Sequence, residues 1–218
     1  MFMKKYNAVI FDLDGTLLNS MEFWQSLAAE YLRSRNILPP DDLAEDLSTL
    51  DMHQAVDFML ENFDLHLSHE TVYNDLVQIA NNYYCNQAIF KPGVEKFLQK
   101  LRANDIALMI FSAAPEELVY SALRHLHATE YFNCGVLSCE KLDLDKTQAQ
   151  AFLAAAEYCG FPVAEIVIFE DAPHAARAAK SAGFTLAVVA DKTANSEELR
   201  KIADFYIEKS YDEISDML

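Results

Sequence analysis

Apolar residues in this chain occur in short unbroken runs that alternate with stretches of helical spacing. The first run, Ala8–Phe11, leads directly into two carboxylates. Similar β-type runs follow at 106–111, 135–138, 166–169 and 185–189, with a shorter one at 204–207. Helical patterns separate them at about 93–103, 115–128, 147–159 and 173–182. Runs without polar alternation are typical of strands buried on both faces, so the pattern predicts an α/β fold with a Rossmann-like, doubly wound parallel sheet.

The segment between the first and second strands has a different pattern. It contains no β-branched run, and helical spacing begins after Ser20, a predicted N-cap. Further helical patterns follow at about 41–50, 52–62 and 69–88. In the last of these helices one buried face is predicted to contain Val72, Leu76, Ile79, Ala80 and Tyr83. We therefore predict a four-helix bundle inserted at residues 18–89, with an α/β core formed by residues 1–17 and 90–218.

Composition and charge exclude several classes of protein. The formal charge of −17 argues against binding to a nucleic-acid backbone. Acidity is concentrated between Thr16 and Phe90, where there are 12 acidic residues and only two basic ones, Arg33 and Arg35. No stretch approaches the roughly 20 apolar residues of a membrane span, and the N-terminus lacks the pattern of a signal peptide. The four cysteines show no metal-binding spacing. We expect a cytoplasmic protein with reduced thiols and no membrane partner.

Polar side chains occur at four places next to the predicted strand ends. They are Asp12 and Asp14 after the first strand, Ser112 at the second, Lys146 after the third, and Glu170 with Asp171 at the fourth. Taken singly they have structural explanations, because serine and acidic residues suit helix starts and exposed lysines are common. The carboxyl ends of parallel strands, however, meet at one edge of the sheet, where open α/β folds bind their ligands. Ionised carboxylates at that edge also need a compensating charge.

These residues resemble the four motifs of the haloacid dehalogenase-like hydrolase superfamily. Residues Asp12–Thr16 read DLDGT, as in the first motif, Ser112 matches the second, and Glu170 with Asp171 matches the fourth. The resemblance covers about residues 1–17 and 90–218. It identifies the inserted bundle as a helical cap of the C1 type.

The third motif of that family is a lysine, and this chain offers two candidates. Lys146 is favoured because an aromatic residue, Phe152, follows six positions later, as in the family pattern. Thr147 replaces the proline that usually follows the lysine, and Lys141 is a rival.

The resemblance implies a magnesium-dependent phosphatase that acts on a small phosphorylated metabolite. Asp12 is the expected nucleophile, which forms an aspartyl-phosphate, and Asp14 is the expected general acid and base. The implied ligands of Mg²⁺ are Asp12, Asp14 through its main-chain carbonyl, Asp171 and Glu170. The expected contacts of the substrate phosphate are the Ser112 hydroxyl, the Ala113 amide and the Lys146 ammonium.

The same residues bear on three other possible functions. A dehalogenase is disfavoured by the presence of Asp14 and Thr16, and a non-enzymatic module would lose at least one motif residue. A sugar phosphomutase similar to β-phosphoglucomutase stays open, although a cap with only Arg33 and Arg35 offers few cations for a second phosphate. The acidic cap predicts a neutral or cationic leaving group, and its two linkers predict that it opens and closes. The oligomeric state stays open.

Three cap aromatics and one core histidine have structural as well as functional explanations. Phe23, Trp24 and Phe58 are candidates for the substrate pocket, and the bundle core is the expected place for at least two of them. His174 is expected to be an ordinary residue at a helix start.

Overall fold

A six-stranded sheet forms the centre of the computed structural model, which describes residues 6–48, 50–192 and 196–214. Its strands are β1 (Ala8–Phe11), β2 (Ala107–Ser112), β3 (Val136–Ser138), β4 (Ile166–Glu170), β5 (Thr185–Val189) and β6 (Phe205–Ile207). Their spatial order is β3-β2-β1-β4-β5-β6, and every neighbouring pair is parallel. Strands β1, β2 and β4 are buried along their whole length, as the unbroken apolar runs predicted.

Helices cover both faces of this sheet and also form the inserted segment. In chain order they are α1 (Met21–Ser34), α2 (Leu43–Asp46), α3 (Met52–Asn62), α4 (His69–Asn86), α5 (Val94–Ala103), α6 (Glu116–His125), α7 (Cys139–Leu142), α8 (Ala149–Cys159), α9 (Pro173–Ser181) and α10 (Ser196–Ile202). Val9 and Phe11 pack with α5 and α6 on one face, whereas Ala8 and Ile10 pack with α8 and α9 on the other. The predicted doubly wound, Rossmann-like α/β fold is therefore confirmed.

The inserted helices α1–α4 have a hydrophobic cluster of their own. Its buried members are Leu27, Tyr31, Leu32, Leu43, Val56, Met59, Leu65, Val72 and Leu76. The two segments that connect these helices to the sheet run side by side, since the amide of Asn19 donates to the carbonyl of Ile89 at 3.0 Å and that of Lys91 to Leu17 at 2.8 Å. The insertion thus leaves and re-enters the core at a single place.

The buried face of α4 is rotated relative to the prediction. Its buried residues are Val72, Leu76, Ala80 and Tyr84, which follow one another at intervals of four. Ile79 is 40% exposed and Tyr83 is only partly buried, so the placement of these two residues in the buried face was wrong. The difference matters because Tyr84 carries its hydroxyl toward the sheet edge.

Several smaller expectations also need correction. Ser20 occupies the N-cap position of α1, but its side chain makes no capping hydrogen bond. The helix predicted at 41–50 is short, and α8 begins three residues after Lys146. The short helices α7 and α10 were not predicted. Among the described residues, no helix combines the length and the apolar character needed to cross a lipid bilayer.

Candidate active site

Three buried carboxylates meet where β1 and β4 end. The amide of Asp12, the first residue beyond β1, donates to the carbonyl of Phe169 in β4 at 2.9 Å. Glu170 ends β4 and Asp171 follows it. Each of the three carboxylates offers an oxygen, and these oxygens all lie within 4.8 Å of one another. The side chains predicted from separate motifs therefore converge on one point.

Lys146 supplies the positive charge in contact with this cluster. Its Nζ lies 2.5 Å from Oδ1 of Asp12 and 2.7 Å from Oε1 of Glu170, and it is 7% exposed. The rival lysine, Lys141, instead forms an ion pair with Glu116 at 3.0 Å and is half exposed. When fully ionised, three carboxylates and one ammonium leave two negative charges, the amount that a divalent cation neutralises.

Burial of these charges perturbs their protonation. Burial raises the pKa of Asp12 to about 6, although Lys146 opposes the shift. The pKa of Asp171 is raised well above its usual value by burial and by the neighbouring Asp12 and Glu170. Burial disfavours the charged form of Lys146, but Asp12 and Glu170 outweigh it and raise its pKa. Clustered oxygen ligands whose charges are not fully balanced fit a hard divalent cation.

Glu170 is held by contacts on both of its carboxylate oxygens. Oε1 accepts from Lys146, and Oε2 accepts from the amides of Asp171 at 3.0 Å and Ala172 at 3.2 Å. These bonds fix the carboxylate and, through it, the Lys146 ammonium beside Asp12.

Gly15 and Thr16 explain how the first motif approaches Asp171 so closely. A Cβ atom on Gly15 would lie 2.1 Å from Oδ2 of Asp171, and the φ of +83° at this position favours glycine. The Thr16 hydroxyl donates to Oδ1 of Asp171 at 2.8 Å. The DGT sequence therefore packs directly against the last acid of the cluster.

Asp14 lies in a different environment from Asp12. The Ser20 hydroxyl donates to its Oδ1 and the Tyr84 hydroxyl to its Oδ2, both at 2.6 Å. Burial raises the pKa of Asp14 to about 6, while these hydroxyls oppose the shift. This contact explains why Ser20 does not cap α1. Tyr84 was not among the residues predicted for the site, since the only signal for it in the sequence is the four-residue spacing of apolar residues in α4.

The remaining predicted site residues occupy the same edge of the sheet. Ser112 ends β2 and is buried, and its Oγ accepts from the amide of Ala114 at 3.1 Å. Ala113 is exposed. His174 lies at the second position of α9, where burial and Lys146 lower its pKa. The description of His174 as an ordinary helix-start residue stays a prediction.

The three aromatic residues of the inserted helices that the sequence singled out are partly buried. Phe23 and Trp24 pack against both the hydrophobic cluster of the inserted helices and the core, and Phe58 packs against the cluster of the inserted helices. Their expected contribution to the bundle core is therefore confirmed.

A cavity of about 600 Å³ lies away from this cluster, between α4 and α6. It is lined by Asn74, Asp75, Val77, Gln78, Asn81, Glu117, Leu118, Tyr120, Ser121 and Arg124. None of the predicted site residues is among them. We place the site at the strand edge because the titratable groups converge there, whereas the cavity lining brings no such group of carboxylates together.

Several known proteins are similar to this chain in sequence. The sequence profile of haloacid dehalogenase-like hydrolases matches residues 6–183. A Drosophila melanogaster protein named Probable pseudouridine-5'-phosphatase is 26% identical over 216 residues, which cover 93% of each chain. A phosphoglycolate phosphatase of Chromobacterium violaceum is 27% identical over 191 residues, 84% of each chain.

Solved structures show the same fold. CbbY from Rhodobacter sphaeroides in complex with phosphate superimposes with a TM-score of 0.81 at 19% identity, covering 94% of each chain. A β-phosphoglucomutase from Clostridium difficile gives a TM-score of 0.75 at 22% identity, covering 97% of this chain and 96% of that one. The profile match spans most of the chain, which therefore belongs to the haloacid dehalogenase-like hydrolase family.

Proposed function

We propose that this member of the haloacid dehalogenase-like hydrolase family is a magnesium-dependent phosphatase of small phosphorylated metabolites. The observation that carries the proposal is the contact of Asp12 with Lys146 inside the acidic cluster, with Asp14 two residues away and held separately. The phosphatase names of the relatives agree with it. Unpaired cysteines fit the cytoplasmic location that we propose.

Asp12 acts as the nucleophile in this proposal. One carboxylate oxygen attacks the phosphorus, the ester bond breaks, and Asp14 gives a proton to the departing alkoxide. Water then attacks the aspartyl-phosphate and gives a proton to Asp14, which releases phosphate and restores Asp12. Asp14 thus acts first as acid and then as base, for which a pKa near 6 is suitable.

The phosphate is bound by groups around Asp12. Lys146 would balance its negative charge, and the Ala113 amide would donate to one of its oxygens. The Ser112 oxygen already accepts from Ala114, so its proton remains to be donated to the phosphate.

Asp12, Asp171 and the main-chain carbonyl of Asp14 would hold Mg²⁺, with Glu170 beside them. When bound, the ion supplies positive charge between the Asp12 carboxylate and the phosphate.

The positions of the cap cations favour a phosphatase over a phosphomutase. Ser20, whose hydroxyl contacts Asp14, lies at the start of α1. At a rise of 1.5 Å per residue, Arg33 lies roughly 20 Å from Ser20 along the helix axis. Arg35 is paired with Asp75 at 2.6 Å. A mutase must hold the second phosphate of a bisphosphate intermediate, and neither arginine is placed to do so.

Residues 18–89 form the cap in this proposal, and residues 1–17 with 90–218 form the catalytic core. The adjacent linkers make one hinge. We propose that the cap opens for exchange and closes for chemistry. Solution scattering should show a more compact particle with Mg²⁺ and a phosphate mimic, and an unchanged profile would contradict this.

The acidic cap also selects the substrate, and we propose that the leaving group is neutral or cationic. The segment from Thr16 to Phe90 has a net charge of −10, which would repel a polyanionic leaving group. Simple sugar monophosphates should therefore be hydrolysed faster than bisphosphates or nucleoside diphosphates, and the reverse order would refute this specificity.

The central test is a phosphatase screen over a metabolite panel with and without Mg²⁺. Asp12→Asn should abolish turnover, and Asp14→Asn should reduce it by roughly 10²–10⁴-fold. Full activity in excess chelator, or in Asp12→Asn, would refute the proposal.

A further inference from the structure

The carboxylate of Asp14 is held from the cap as well as from the linker. Ser20, which holds Oδ1, lies at the start of α1, whereas Tyr84, which holds Oδ2, belongs to the last turn of α4. Tyr84 is fully buried. The catalytic carboxylate predicted from the first motif is therefore tied directly to a cap helix.

We propose that Tyr84 is a positioning residue for Asp14, so that helix α4 sets the orientation of the group that exchanges protons with the substrate. The inference rests on the proposed function, in which Asp14 is the acid and base.

The two hydroxyls fix the plane of the Asp14 carboxylate without blocking it. The terminal torsion of an aspartate is broad, so an unheld carboxylate rotates readily. Each carboxylate oxygen accepts about two hydrogen bonds, and one hydroxyl on each leaves further lone-pair positions for a substrate or a water molecule. Loss of the Tyr84 donor would free one oxygen and allow the carboxylate to turn away from the leaving group.

Tyr84 is itself held rigidly by aromatic neighbours in the cap. Its ring meets the Trp24 indole edge-on, with centroids 6.2 Å apart, and lies 5.7 Å from the ring of Tyr83. The indole of Trp24 lies beside Asp14, and its Nε1 atom is buried. The cap thus surrounds this carboxylate with rings from both α1 and α4.

Tyr84→Phe tests the inference, with Tyr83→Phe as the matched control. The control removes a neighbouring hydroxyl that donates to the carbonyl of Asn19 at 3.3 Å and not to Asp14. Each variant is assayed with Mg²⁺ on two substrates, an alkyl phosphate and p-nitrophenyl phosphate. Alkoxide departure needs a proton from Asp14, whereas p-nitrophenolate departs without one.

We expect Tyr84→Phe to lower kcat/KM for the alkyl phosphate by roughly tenfold or more, and to lower kcat/KM for p-nitrophenyl phosphate by less than about threefold. Asp14→Asn should show the same selectivity with a greater loss, and Tyr83→Phe should behave as the parent protein. The ratio of the two kcat/KM values, measured on one preparation, does not depend on the fraction of folded protein. A partly unfolded variant is therefore still informative.

Equal losses of kcat/KM on both substrates, or no loss on either, would overturn the role of Tyr84. The value of kcat does not test it, because both substrates share the hydrolysis of the aspartyl-phosphate, in which Asp14 acts as base. Failure of the proposed function looks different, because the parent protein would then hydrolyse neither ester or Asp12→Asn would remain active. In that case both proposals are wrong.

Discussion

Replacement of Gly15 by alanine should disrupt the acidic cluster directly. The new Cβ would lie 2.1 Å from Oδ2 and 2.6 Å from Cγ of Asp171, whereas ordinary van der Waals contact begins near 3.4 Å. The carboxylate must therefore move by roughly 1.3 Å, the difference between these distances. Such a shift would break its 2.8 Å hydrogen bond from Thr16 and enlarge the cluster that Mg²⁺ is proposed to occupy.

Gly160→Ala is a matched control for this substitution. Gly160 has a φ of +81°, close to the +83° of Gly15, but a Cβ there would meet no atom within 4 Å. Both variants share the left-handed backbone penalty of roughly 1–2 kcal/mol. Their difference therefore reports the collisions at Gly15, which are with Asp171 and, at 2.9 Å, with Cγ of Met21.

Calorimetric titration of Mg²⁺ and steady-state kinetics would measure that difference. We expect Gly15→Ala to lose detectable Mg²⁺ binding and to lower kcat/KM by roughly 10²-fold or more, as misplacements of about 1 Å do. Gly160→Ala should bind Mg²⁺ as the parent protein does and lose only stability. Parent-like Mg²⁺ affinity in Gly15→Ala would refute the close packing of Gly15 on Asp171 as the reason for this glycine.

Three further predictions concern charge and helix capping. Lys146→Met should lower the free energy of unfolding of the metal-free protein by roughly 3–5 kcal/mol at pH 7, since it leaves buried carboxylates unpaired. Urea denaturation checks this, with Lys141→Met as the control, and equal losses of stability in the two variants would contradict it. Because the pKa values of Asp12 and Asp14 are raised to about 6, the metal-free protein should lose stability as pH rises from about 4 through 6. Mg²⁺ should consequently raise Tm more at pH 8 than at pH 5.5 in scanning calorimetry, and an equal rise at both would count against it. Asp51→Ala removes the capping box of α3 and should cost about 0.5–2 kcal/mol with unchanged kcat/KM.

The sheet and its chemically active edge could be predicted because their signals are local. Strands β1 and β4 are unbroken apolar runs, and each ends directly at a carboxylate. Parallel connectivity then brings these ends together without further information. The convergence of Asp12 and Asp171 on one point follows from this topology, whereas the choice of Lys146 over Lys141 depended on the family resemblance and the position of Phe152.

The contacts of Asp14 could not be predicted in the same way. Successive residues of a helix differ in direction by about 100°, so assigning Tyr83 instead of Tyr84 to the buried face reverses which hydroxyl approaches the core. A serine at a helix start is ordinarily a cap, and only the tertiary position of Asp14 shows that the Ser20 hydroxyl points elsewhere. These choices depend on how α1 and α4 pack against the sheet, which the sequence pattern leaves open.

Burial raises the pKa values of both Asp12 and Asp14 to about 6 in the metal-free protein, but the groups that modify this rise differ, and this difference separates their proposed roles. At Asp12 the Lys146 ammonium opposes the rise in pKa, whereas the Glu170 carboxylate adds to it. Asp14 is held by the neutral hydroxyls of Ser20 and Tyr84. A cation bound by Asp12 and Asp171 would stabilise the ionised form of Asp12 most strongly, because Asp12 contacts it directly. Asp14 would then remain the more basic carboxylate, with its orientation governed by the cap, which is the combination that a nucleophile beside a proton donor requires.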